Sequence, residues 1–167
     1  AGSSQRLSVV SNSGRSSGSR ASLTFESRVR PTLANRLGLY GYGWPDGDGY
    51  TLYDFAAGAA LYRAAKAAIG DNQYPDERGF VSNRLFEALA NGAFLLHQYV
   101  EGLEELTGLA DGVHYVAWEN SKDLKAKLKY WLADTRAAER QQIAAAGEAY
   151  VREYHSFEAR VKELFTE

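Results

Sequence analysis

Two charged residues one helical turn apart, Arg84 and Glu87, raise the question of a ligand site. They lie in the stretch FVSNRLFEALANGAFLL, which predicts a short helix leading into a buried strand. An arginine in the first turn opposes the helix dipole unless something negative lies there. The loop RGFVS also leads into free backbone amides that can hold an anion. The alternative is a solvated helix face with an Arg84–Glu87 ion pair worth about 0.2–0.5 kcal/mol.

The periodicity of this helix separates the charged side chains from the apolar ones. At about 100° per residue, one arc is apolar and the other carries Asn83, Arg84, Glu87 and Asn91. Gly92 is placed to end the helix in the left-handed conformation. The apolar arc consists of Leu85, Phe86, Ala88, Leu89 and Ala90.

The elements around this helix alternate between strands and helices joined by short loops. This order predicts βαβ units, and therefore a Rossmann-like parallel sheet with helices on both faces and a helical C-terminal third. In such sheets ligands bind at the carboxyl ends of the strands, so we expect the loops after Val10, Trp44, Asn72 and Leu96 to surround one crevice. The predicted strands are 6–10, 37–44, 67–72, 93–96 and 112–118. The predicted helices are 19–36, 55–66, the one beginning near Ser82, and the segments 121–134, 135–154 and 156–167.

Composition and length restrict the function classes. A chain of 167 residues with 45% hydrophobic and 24% charged residues is typical of a single globular domain. A net charge of -2 does not favour binding to nucleic acid or anionic membranes, and no apolar run reaches the roughly 20 residues of a membrane helix. The absence of cysteine and of a signal peptide predicts a cytoplasmic protein. The absence of methionine predicts a processed chain or a fragment, with 1–5 as a cloning remnant or disordered start and 6–167 as the domain.

The sequence does not predict a metal site. Asp46 and Asp48 have the first and third positions of a calcium loop, but the later ligand positions are wrong. The three histidines, at 97, 114 and 155, lack metal-ligand spacing. His97 follows the apolar run AFLL, so we expect it at the carboxyl end of a strand, facing the crevice. Trp44 and Tyr99 lie on crevice loops, where each could stack on a base.

The segment GFVSNRLFEALANGAFLL resembles the donor-site segment of two-domain glycosyltransferases with paired Rossmann-like domains, the GT-B type. It is most similar to the branch that includes CgeB-type spore-maturation proteins. Other segments fit in the same order: SVVSNSG, Arg20, LYGYGW, LYRAAKAAIGDN and EYHSFEARVKELF. The resemblance covers nearly the whole chain and depends on the ordered set rather than on one motif.

The resemblance implies a nucleotide-sugar donor site. In it, Glu87 would accept hydrogen bonds from the ribose hydroxyls, while Arg84 and the amides near Ser82 would meet the diphosphate. It also implies a missing N-terminal acceptor domain as partner, and no cofactor other than the nucleoside diphosphate sugar itself. Many group-one enzymes have a second glutamate eight positions earlier, where this chain has Gly79. The expected donor-binding residues are Asn12, Arg20, Asn72, Ser82, Asn83, Arg84, Glu87 and His97.

Two alternatives remain open at this point. One is a non-enzymatic Rossmann-like module that binds a nucleotide or a protein partner. The other is a fragment of an NAD-type dehydrogenase, which the missing glycine fingerprint disfavours: Gly41 and Gly43 are followed by Asp46 where a third glycine should be.

Overall fold

The computed structural model describes residues 7–10, 37–40, 55–72, 74 and 76–165. Within them lie five strands and six α-helices. The strands are β1 (Leu7–Val10), β2 (Leu37–Tyr40), β3 (Ala68–Gly70), β4 (Leu95–Gln98) and β5 (Val116–Trp118). The helices are α1 (Phe55–Ala64), α2 (Asn83–Ala90), α3 (Leu103–Thr107), α4 (Ser121–Trp131), α5 (Ala137–Tyr154) and α6 (Phe157–Phe165). The predicted helix at 19–36 lies outside the described residues.

The strands pair in parallel, as the βαβ alternation predicts. β1 pairs with β2, and β3, β4 and β5 form a second ladder with β4 in the centre. Cα atoms of β1 also lie within 8 Å of β3, so the spatial order of the strands is β2-β1-β3-β4-β5. The order therefore changes direction between β1 and β3, the kind of position where ligands bind in open α/β sheets.

Helices cover both faces of the sheet, which confirms the predicted fold class. Successive side chains of a strand point to opposite faces. On one face, Ile69 and Leu96 pack with Leu124 and Leu128 of α4. On the other, Leu95 packs with Leu85 and Leu89 of α2.

Several predicted element bounds were wrong by two to four residues. The fourth strand is Leu95–Gln98 rather than 93–96, because its ladder with β3 and β5 continues through His97 and Gln98. The fifth begins at Val116 rather than at 112, because Gly112 (φ 76°) and its neighbours form a turn closed by the Gly112 N–H donating to Tyr115 O. The strand predicted at 67–72 is Ala68–Gly70, and the helix predicted at 55–66 ends at Ala64. Of the strand predicted at 37–44, the described part is Leu37–Tyr40.

The N-cap of α4 is Asn120, and not Ser121 as the sequence suggested. The Asn120 side chain accepts hydrogen bonds from the amides of Lys122 and Asp123, at 3.0 and 3.1 Å. Ser121 is the first residue of the helix. The predicted apolar stripe of this helix is correct, since Leu124 and Leu128 are buried in the core.

The apolar stripe of α6 is uncovered. Phe157, Val161, Leu164 and Phe165 are 94%, 51%, 76% and 83% exposed, so the stripe does not complete the core of the described domain. In the described part of the chain, no helix combines the length and apolar character that crossing a membrane requires.

Candidate functional site

The first turn of α2 carries an arginine folded back onto its own N-cap. Ser82 is extended (φ -72°, ψ 137°), and its Oγ accepts hydrogen bonds from the backbone N–H of Arg84 at 3.4 Å and from Arg84 Nε at 3.1 Å. The exposed side chain of Asn83 is beside them. The amides and the guanidinium therefore concentrate positive charge at one helix end, which suits an anionic ligand.

Arg84 also lines a small cavity at the carboxyl ends of β3 and β4. Gly70 and Asp71 come from the end of β3, His97 from β4 and Tyr62 from α1. The cavity measures about 10 Å³, close to the minimum that one water molecule needs. A cavity of this size does not hold a nucleotide. The predicted site residues Asn12 and Arg20 lie outside the described residues.

Glu87 lies one turn further along α2 and is half-buried. Burial raises the pKa of Tyr62, the Glu87 carboxylate raises it further, and the Arg84 guanidinium opposes that rise. Both charged groups therefore lie near the hydroxyl of Tyr62, on the side of α2 that faces α1. The described residues do not form the Arg84–Glu87 ion pair that the solvated-face alternative requires.

His97 lies within β4 rather than after it, and it is 2% exposed. Its position as the second residue after Leu95 directs it to the face of the sheet that α2 covers. Nδ1 lies 2.7 Å from the carbonyl oxygen of Gln98, so Nδ1 carries the proton and Nε2 is an acceptor. Burial lowers the pKa of His97 to about 4, and the imidazole is neutral near pH 7.

Asn72 follows β3 and connects the elements of the site. Its backbone N–H donates to Gln98 Oε1 at 3.1 Å, and its Nδ2 donates to Phe80 O at 2.6 Å. Asn72 is 1% exposed, and its Oδ1 has no hydrogen-bond partner among the described residues. These bonds fix the loop after β3 against β4 and against the segment that enters α2.

Backbone geometry explains the glycine at position 79, eight residues before Glu87, where many group-one enzymes have a second glutamate. Gly79 has φ +74°, and a Cβ there would lie 2.4 Å from Cδ1 of Leu106. Its N–H donates to Glu101 O at 2.9 Å, which ties the turn to the end of the β4 loop. A glutamate at this position would be strained by the positive φ, and the exposed side chain of Leu106 would have to move.

Sequence reasoning missed three residues that line this cavity: Tyr62, Gly70 and Asp71. Tyr62 carries no signal in the sequence, because it reaches the site only through the packing of α1 against α2. Gly70 and Asp71 precede Asn72 at the end of β3, which the rule for parallel sheets could have indicated. Tyr99 directly follows β4 and is 52% exposed, while Trp44 lies outside the described residues.

The described residues contain no group of three or more carboxylate or histidine side chains suited to a metal ion. Asp46 and Asp48 lie outside these residues. The histidines have other contacts: His114 Nδ1 accepts from the Ala110 N–H at 3.0 Å, and His155 Nε2 donates to Thr107 O at 2.8 Å.

Three solved structures share this fold along nearly the whole chain. Sucrose-phosphate synthase from Thermosynechococcus elongatus is 20% identical with a TM-score of 0.62, and the match covers 96% of this chain and 37% of that one. Anabaena HepE in complex with UDP and glucose is 14% identical with a TM-score of 0.62, covering 97% of this chain and 48% of that one. The C-terminal domain of LpcC, a group 1 glycosyl transferase from Francisella tularensis, is 14% identical with a TM-score of 0.59, covering 91% and 87%.

The chain thus spans less than half the length of the first two proteins and most of the third, a single domain. Among curated proteins, none matches this chain at a significant level. The sequence model of the glycosyl transferase-like family matches residues 20–166, which include α2 and its site. The chain belongs to the glycosyl transferase-like family and has the Rossmann-like fold of a group 1 domain.

Proposed function

We propose that this chain is the donor-binding domain of a two-domain glycosyltransferase and binds a nucleoside diphosphate sugar at the start of α2. The observation that carries the proposal is Arg84, which is folded over Ser82 at the N-terminus of α2 and lines the cavity at the ends of β3 and β4. A guanidinium at the positive end of a helix suits a diphosphate. The similar fold of HepE, solved with UDP and glucose, supports a nucleotide of this class.

In this proposal Glu87 accepts hydrogen bonds from the two ribose hydroxyls. A carboxylate offers two acceptor oxygens and no donor, which matches a diol. Its half-buried position one turn after Arg84 supports this assignment, because residues three apart lie on one face of the helix. Asn12, Arg20, Asn83, Asn72 and His97 remain the other predicted donor-site residues. Asn72 acts chiefly by holding the loops in place, since its amide N–H groups bond within the protein.

The finer assignments are also proposals. The segment from Gly79 to Leu96 favours the CgeB-type branch, with its acceptor domain preceding this one and outside this chain. We expect a cytoplasmic protein, as the cysteine-free composition suggests. The uncovered apolar face of α6 supports a domain contact: Phe157, Leu164 and Phe165 are more than 70% exposed and would be covered by that other domain.

Isothermal titration of the chain with UDP, GDP and ADP tests the donor site. We expect Glu87→Ala to weaken the best ligand by about 1–3 kcal/mol, the cost of removing a charged hydrogen-bond partner. Glu104→Ala, at an exposed glutamate of α3, is the matched control and should bind like the parent. Arg84→Ala should weaken the nucleoside diphosphate more than the free nucleoside, because its contact is with the phosphates. Equal affinities for the parent and Glu87→Ala would reject the ribose contact and favour a solvated helix face.

A further inference from the structure

A second concave surface lies away from the start of α2, between the C-terminal ends of α3 and α5 and the first turns of α6. We call it the α3–α5–α6 concavity. Its volume of about 410 Å³ falls in the range of small-molecule sites, roughly 300–1,000 Å³. It is lined by Leu106, Thr107, Gly108, Tyr150, Glu153, Tyr154, His155, Ala159, Arg160 and Glu163.

Tyrosine rings form one side of the concavity. The Tyr150 and Tyr154 ring centroids are 4.7 Å apart, and Tyr154 is 50% exposed. A Cβ on Gly108 would lie within 1.9 Å of the Tyr150 hydroxyl, so the missing side chain at Gly108 is what admits this ring. The result is an aromatic surface in which Tyr154 is exposed to solvent and Tyr150 packs against Gly108.

A fixed guanidinium forms the opposite side. Arg160 donates to Glu163 Oε2 at 2.7 Å and to His155 Nδ1 at 2.8 Å. His155 accepts there because its Nε2–H donates to Thr107 O, and burial lowers the pKa of this imidazole. Arg160 is therefore oriented before any ligand arrives, and its remaining N–H groups are on a side chain that is 46% exposed.

The charges in the concavity disfavour an anionic ligand. The lining has one guanidinium, Arg160, and two carboxylates, Glu153 and Glu163, while burial and the Arg160 charge lower the pKa of His155 and favour its neutral form. Phosphate, nucleic acid and uronate ligands would each meet a net negative site. The net charge therefore favours a neutral or cationic ligand. The exposed tyrosine ring beside several hydrogen-bonding groups suits a neutral ligand with an apolar face and many hydroxyl groups.

We propose that the α3–α5–α6 concavity binds a neutral saccharide, with a sugar ring stacked on Tyr154 and its hydroxyls bonded to Arg160 and the two glutamates. A pyranose has a face of C–H groups that packs on an aromatic ring, and its hydroxyls both donate and accept. The Phe86 ring of α2 packs on His155 at 4.9 Å between centroids, so the concavity is next to the helix of the donor site. Saccharide binding at this concavity does not depend on the proposed donor site.

Saturation-transfer-difference NMR on the full chain, with maltotriose, cellotriose, chitotriose and mannotriose as probes, tests the proposal. We expect at least one trisaccharide to bind, and Tyr154→Ala to weaken it at least tenfold. Tyr130→Ala is the matched control, because Tyr130 is 47% exposed on α4 and lies outside the concavity, and it should bind like the parent. Arg160→Ala should also weaken binding, and trigalacturonate should bind less well than the neutral probes.

The same samples are titrated with UDP, GDP and ADP, so that the two proposals fail separately. Trisaccharide binding that Tyr154→Ala abolishes, with no nucleotide binding, would leave the saccharide site standing and reject the donor site. No saturation transfer to any trisaccharide, or equal transfer in the parent and Tyr154→Ala, would overturn the saccharide proposal whatever the nucleotide result.

Discussion

The imidazole of His97 lies directly over the backbone of Gly70, its register partner on the neighbouring parallel strand. A Cβ on Gly70 would stand 2.7 Å from Cδ2 of His97 and 3.5 Å from its Nε2. The histidine occupies the space that a side chain on β3 would take, and Gly70 itself lines the cavity beside Arg84. Glycine on β3 therefore leaves room for the imidazole ring of His97 on β4.

Replacing Gly70 with alanine should therefore displace the imidazole of His97. We expect Gly70→Ala to lower the free energy of unfolding by about 1–3 kcal/mol, the usual cost of overpacking, measured by urea unfolding. The control is Gly58→Ala in α1, where a new Cβ meets no described heavy atom within 4 Å. That variant should lose less stability than Gly70→Ala, because no described atom meets its Cβ and alanine favours helix over glycine. A stable Gly70→Ala protein would show that His97 moves aside freely.

The buried histidine should make stability depend on pH. Its pKa falls from 6.5 to about 4 because burial disfavours the charged ring. Between these values the unfolded chain binds a proton that the folded chain does not, so stability is full above about pH 6.5 and is lost as the pH falls towards 4. The loss is on the order of 3 kcal/mol across this window, at about 1.4 kcal/mol per pH unit.

Urea unfolding between pH 4 and 7 measures this loss, with His97→Gln as the comparison. Glutamine does not titrate, so the variant should show a flatter slope even if it is less stable throughout. The lowered pKa values of His114 and His155 leave part of the slope in both proteins. Parallel slopes in the parent and the variant would mean that His97 titrates normally.

The two candidate caps of α4 can be separated by substitution. Asn120→Ala should cost about 1 kcal/mol, because its side chain accepts hydrogen bonds from two first-turn amides. Ser121→Ala should change stability by less than about 0.5 kcal/mol. Thermal unfolding of both variants decides the matter, and a larger loss at Ser121 would contradict the cap geometry.

Nucleotide binding should need no divalent metal. The amides of α2 and Arg84 supply the positive charge that the diphosphate requires. We expect the same affinity for UDP, GDP or ADP in EDTA as in Mg²⁺ or Mn²⁺, measured by titration calorimetry. A metal requirement, or an ordered ion held by Asp46 and Asp48, would contradict this prediction.

The chain by itself should bind donor but transfer no sugar. Catalysis needs donor and acceptor positioned together with water excluded, and a misplacement of about 1 Å can cost roughly 100-fold in rate. The assay incubates the chain with a panel of nucleotide sugars and scores both transfer and donor hydrolysis. Multiple-turnover transfer would show that one domain suffices.

The parallel α/β class and the helix that carries Arg84 and Glu87 were predictable from the sequence, because both depend on local periodicity. The Rossmann-like fold and the end of α2 at Gly92, which has φ 72°, are confirmed. Strand ends were less predictable, since β4 ends where its ladder ends and not where its apolar run does. Asn120 replaced Ser121 as cap for a similar reason: both are good capping residues, and the entry of β5 into α4 selects between them.

The surroundings of the site were decided by tertiary structure alone. The burial of His97, its fixed tautomer and its place over Gly70 depend on residues 27 positions apart that meet only when β3 and β4 pair. The glycine at position 79 likewise follows from a turn with φ +74°, which the hydrogen bond from its N–H to Glu101 O holds. No local pattern encodes such contacts, because the residue that fills a space and the residue that leaves it empty lie on different elements. The sequence by itself determined which helix carries Arg84 and Glu87. The packing of α1, β3 and β4 around that helix determined which residues line the cavity next to it.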